Sequence, residues 1–96
     1  MSFEEFKTEV EAGRFPTELS APLQALWHEA RSDWAGAHTC VQEDGSAAAA
    51  WVHAYLHRRE GDAGNAAYWY ARAGRPVAAG SLEAEWAAIA RELLKG

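Results

Sequence analysis

Apolar residues recur along the chain at intervals of three and four, and no stretch alternates for long enough to make a strand. Phe3, Phe6 and Val10 form one stripe on a first helix over about residues 2–12, with Ser2 and Glu5 as a capping box and Gly13 as its end. "RFPTELSAP" then reads as a connection. Leu23, Leu26, Trp27 and Ala30 share a face of a second helix over about 20–31, with Pro22 in its tolerant first turn. Asp33 caps a third helix that reaches about Glu43, before the "DG" turn. Ser46 opens a fourth that stops at Gly61, and Asp62 caps a fifth that stops at Gly74 before Pro76. After "RPVAAG", a stripe of Leu82, Trp86, Ile89 and Leu93 runs from Ser81 to about residue 95 and is expected to close one end of the core. The pattern predicts one all-α domain over 1–96: a six-helix array with hairpins at about 20–44 and 46–74 between terminal helices at about 2–12 and 81–95.

The two hairpins repeat each other. A shift of 29 residues matches Ala25 with Ala54, His28 with His57, Asp33 with Asp62, Ala37 with Ala66 and Gly45 with Gly74. Apolar phase is kept as well, Leu23, Leu26 and Val41 falling on Val52, Tyr55 and Tyr70. The second unit carries "G-x-x-x-x-A-x-x-x-Y-x-x-A" at Gly61, Ala66, Tyr70 and Ala73, and through it residues 47–76 resemble a tetratricopeptide or Sel1-like repeat. That resemblance implies paired helices in which Ala66 and Ala73 allow close approach and Tyr70 fills the gap between them. The period is shorter than the tetratricopeptide length of about 34 residues, and Ser32 stands where the first turn should have Gly. The longer string "DWAGAHTCVQ", "WVHAYLHRREGD" and "NAAYWYARAGRP" is similar to an uncharacterised bacterial and fungal family, a resemblance that implies no catalytic residue.

Composition narrows the function classes. Five Trp, three Tyr and three Phe must supply most of the buried area of so Ala-rich a chain, so core is the first reading of its aromatic residues. A net charge of -5, from 9 basic and 14 acidic residues, argues against nucleic acid or an anionic membrane as partner. Cys40, the sole cysteine, forms no internal disulfide or thiolate zinc cage, which points to a reducing, cytoplasmic setting. The acidic start and the short apolar run Ala47–Val52 match neither a signal peptide nor a membrane span. Ser32, Ser46 and Ser81 sit at expected caps, and no Gly-rich elbow or phosphate loop occurs, so nucleophilic catalysis finds no support.

The chemistry that remains lies in the central hairpins. His53 and His57 are four apart on one helix face, which Glu60 extends by a turn. Two imidazoles and a carboxylate suit a divalent transition metal, with His38 or Asp33 arriving from the neighbouring helix. The competing reading is packing, each imidazole bonding to a backbone carbonyl or to Tyr70. Tyr68, Trp69 and Tyr70 wrap the fifth helix, which is therefore expected to be buried on every side. Arg58, Arg59, Arg72 and Arg75 serve either the helix dipoles and pairs with Glu60 or Asp62, or a clamp for carboxylate or phosphate.

Three functions stay open at this point. The leading one is a binding module without catalysis, its groove lined by Trp51, His53, Tyr55, His57, Arg58, Tyr70 and Arg72, taking a peptide or a small anionic ligand. The second is a metal site or small metal-dependent enzyme built on His38, His53 and His57 with Asp33 or Glu60. The third is a structural homodimer joined through exposed aromatics.

Overall fold

The computed structural model describes residues 1–95 and has among them six α-helices and no strand. They are α1 (Phe3–Ala12), α2 (Ala21–Ala30), α3 (Trp34–Val41), α4 (Ala47–Arg59), α5 (Ala63–Ala73) and α6 (Leu82–Leu94). Local chemistry sets most of their starts. Ser2 and Glu5 close both arms of the capping box, at 2.8 and 3.1 Å. Asp33, Ser46, Asp62 and Ser81 accept the Gly36, Ala49, Asn65 and Ala84 amides. Ser20 makes no such bond; α2 starts instead with Pro22 in its first turn. The third helix is shorter than its apolar pattern suggested, ending at Val41.

The helices wrap around α4. It pairs with α5 as α2 pairs with α3, and it also contacts α2, α3 and α6, while α1 packs on α6. Phe6, Leu26, Val41, Val52, Tyr55, Leu56 and Ile89 lose almost all their exposure in one core. Trp86 stacks on Phe6 at 5.7 Å and donates its indole N–H to the Leu26 carbonyl at 3.1 Å, so its polar edge is satisfied where it enters that core. A smaller cluster of Ala54, Ala66 and Tyr70 joins α4 to α5, where two methyl side chains leave room for one phenol ring. The fifth helix is not buried on every side: Tyr70 is 1% exposed but Tyr68 is 53% exposed, because only one face of α5 meets α4.

The two interhelical turns share one backbone path. Ser32 and Gly61, 29 residues apart, both have positive φ, at 63° and 82°. Each precedes an Asp of near-identical torsion, Asp33 at φ −103°, ψ 77° and Asp62 at φ −97°, ψ 77°. Their amides reach back to the His28 and His57 carbonyls at 2.8 and 2.9 Å. Left-handed backbone is strained for Ser and free for Gly. Ser32→Gly is therefore expected to raise stability by roughly 0.5–1 kcal/mol, the left-handed strain of about 1–2 kcal/mol less the roughly 0.5–1 kcal/mol that glycine loses through its freer unfolded chain. A urea midpoint that stays or falls would mean the serine pays no strain there.

Candidate functional site

Three histidines meet on one side of α4. His53 and His57, one turn apart, present their rings together, with centroids 5.1 Å apart and planes 7° from parallel. His38 comes across from α3, its Nε2 2.9 Å from the Nε2 of His53 and its ring edge-on to both others. One nitrogen from each ring falls within a 4.8 Å group. Aromatic rings wall the cluster: Trp69 of α5 stacks on His53 at 4.0 Å, and half-exposed Trp34 meets His38 edge-on at 4.7 Å.

Protons are scarce inside this group. Burial pushes the His53 imidazole down to about 4, the proximity of His38 and then His57 adding to the effect. The same desolvation, followed by the charge of His57, lowers His38. Both rings are thus neutral at neutral pH, and between their Nε2 atoms one donates and the other offers a lone pair. His57 is oriented from behind, Nδ1 lying 2.8 Å from a Glu60 carboxylate oxygen. A carboxylate only accepts, so Nδ1 of His57 is the donor in this contact. The remaining irregularity is Nδ1 of His38, which is buried and has no hydrogen-bond partner among the described residues.

The other residues singled out from the sequence lie elsewhere. Asp33 caps α3 and turns its second oxygen to Nδ1 of His28 at 3.2 Å, outside the three-histidine group. A side chain at Gly36 would collide with this Asp33–His28 pair. Asp62 can join His57 and Glu60 in a second grouping, but its oxygens already hold the backbone and side-chain amides of Asn65. Cys40 is half-buried, its thiol pushed up by burial and then by Asp33, which makes it a poor nucleophile.

The seven proposed groove residues take separate partners among the described residues. His53 and His57 meet His38 of α3, and among the described residues neither has a backbone carbonyl or Tyr70 as partner. Trp51 lies under the Arg75 guanidinium, 3.8 Å from its ring centre, and Arg72 lies over Tyr68 and Trp69. Arg58 pairs with Glu85 of α6 at 2.8 Å rather than with Glu60 or Asp62, and donates to the Gly80 carbonyl. Tyr70 donates its hydroxyl to the other oxygen of Glu85. Arg59 repeats the arrangement on the opposite side, pairing with Glu29 of α2 at 2.7 Å while Tyr55 donates to the second Glu29 oxygen. Successive arginines of α4 thus each hold a buried carboxylate that also receives a tyrosine hydroxyl. Burial raises both phenols above their ordinary range.

Sequence reasoning passed over Glu29, Glu85 and Arg59 as parts of these networks. A signal was present: Glu29 is three residues after Leu26, and Glu85 lies between Leu82 and Ile89, so both carboxylates occupy apolar stripes.

No helix among the described residues is long and apolar enough to cross a membrane. No protein family, curated protein or solved structure matches the chain.

Proposed function

We propose that this is a small helical metal-binding protein in which His38, His53 and His57 take a divalent transition ion. The observation that carries this reading is the convergence of three imidazole nitrogens from two helices within 4.8 Å, two of them, on His38 and His53, in rings that burial keeps unprotonated. Tetrahedral zinc ligands about 2.0–2.1 Å from the ion stand about 3.3 Å apart, so the 2.9 Å His38–His53 pair needs to open only slightly. Glu60 supports the reading from behind His57, as carboxylates do for histidine ligands. An all-imidazole set suits zinc, copper, nickel or cobalt better than calcium or magnesium. Three protein ligands leave a coordination position for water or an external ligand.

The matching turns at Ser32 and Gly61 support reading the two hairpins as repeat units of the tetratricopeptide or Sel1 kind, here used as a frame for a site between helices. The lone half-buried Cys40 supports a reducing, cytoplasmic location.

The test is metal analysis of untagged protein purified without chelator, with zinc, copper, nickel and cobalt titrations of the stripped protein. One ion per chain is expected, with a gain of about 2.7 kcal/mol in stability at about 100 times Kd. His57→Gln should abolish it, and Glu60→Gln should weaken it by about 10-fold or more. Stripped protein that takes up none of the four ions and melts unchanged in their presence would leave the cluster as packing around the His38–His53 hydrogen bond.

A further inference from the structure

Away from the histidines, a cavity of about 550 Å³ lies between α1, α2, α4 and α6, a size that suits a small organic ligand. We propose that it binds a small amphipathic monocarboxylate, its apolar body against Phe3, Val10, Ala30 and Trp86 and its carboxylate on the guanidinium of Arg59 with help from Arg91.

The sign of the ligand follows from which charges are held in place. Arg59 is fixed through Nε on the Glu29 carboxylate at 2.7 Å and lies beside the Tyr55 hydroxyl, which leaves part of its donor fork free where its side chain, 45% exposed, lines the cavity. Both Glu29 oxygens are engaged, one by Arg59 and one by Tyr55, so this carboxylate orients the guanidinium rather than competing for a ligand cation. Arg91 is held over the Phe3 ring at 4.2 Å. Lys7, on the same lining, has no carboxylate within ion-pair distance among the described residues, although the chain as a whole is acidic. The cavity's other acids, Glu11 and Glu83, are exposed, and no hydrogen bond or ion pair among the described residues fixes them there. The positioned groups are thus cations with donors to spare, and a guanidinium fork matches the two oxygens of a carboxylate. The apolar walls favour a singly charged head over a phosphate dianion, which costs more to desolvate.

The experiment titrates octanoate into the protein by calorimetry and by NMR, with 1-octanol, octylamine and inorganic phosphate as comparison probes. Octanoate is expected to perturb the Trp86 indole resonance and leave Trp69 unmoved, and to bind about tenfold more tightly than 1-octanol, the worth of one charge-assisted hydrogen bond. Arg59→Met removes most of that preference if it folds. Arg91→Gln, an exposed change away from the core, should lower octanoate affinity several-fold while leaving 1-octanol unaffected, and Glu83→Gln should change neither. Equal binding of octanoate and 1-octanol would overturn the proposal, as would tighter binding of octylamine or phosphate, or an Arg91→Gln variant with unchanged octanoate affinity.

Discussion

Replacing Arg58 by alanine is expected to lower the stability of the folded chain by about 3 kcal/mol, the low end for breaking a buried ion pair, because the Arg58 side chain is itself partly exposed. The cost lies with the partner left behind. Glu85 is 7% exposed on the inner stripe of α6, where its carboxylate takes one bond from Arg58 and one from Tyr70. Without the guanidinium, a desolvated charge keeps a single neutral donor, and the Gly80 carbonyl loses its donor as well. Removing both charges together, as Arg58→Met with Glu85→Leu, should cost far less than either single change, because no charge is then stranded. Urea titrations of both singles and the double give the coupling directly. An Arg58→Ala loss below about 1 kcal/mol would mean that water already screens the pair and that α6 is held by Ile89 and Trp86 alone.

The same residue shows how far sequence reasoning reaches. Capping is a relation across three residues, so Ser2, Asp33, Ser46, Asp62 and Ser81 mark real helix starts without knowledge of anything distant. The apolar stripes likewise identify Phe6, Leu26 and Ile89 as core, and the fold class follows from them. For Arg58 the local pattern offers only the acids nearest in sequence, whereas its partner lies 27 residues away on a helix whose docking no local pattern encodes. The groove residues proposed on α4 part company for a related reason. A helix turns about 100° per residue, so Trp51 and Tyr55 lie on a different side from His53 and His57. Only the i, i+4 histidine pair was fixed by spacing. That His38 completes it and Asp33 does not depends on how α3 leans on α4, and on Asp33 being occupied by its cap and by His28.

Chelator-treated protein is expected to lose about 3 kcal/mol of stability between pH 6.5 and pH 4 through His53 alone. The sign follows from the direction of the shift. Burial holds the folded-state value at about 4, against 6.5 for the free side chain. Across that window the unfolded chain takes a proton that the folded chain refuses, so acid favours unfolding. Above pH 6.5 the ring is neutral in both states and contributes nothing to the slope, and below pH 4 both states are protonated and the loss levels off. His38, lowered by the same burial, adds in the same direction, while Glu29, raised by burial, opposes it because its folded form accepts a proton sooner than the unfolded chain. His57 stands beside both rings, with a Glu60 carboxylate oxygen 2.8 Å from its Nδ1. His53→Phe isolates the effect, since a phenyl ring can stack on Trp69 in the same slot without titrating. Urea titrations of both proteins at several pH values should show a steep acid loss in the parent and a shallower one in the variant. Equal slopes would mean that water reaches His53 freely, and the dry, unprotonated cluster on which metal binding depends would lose its main support.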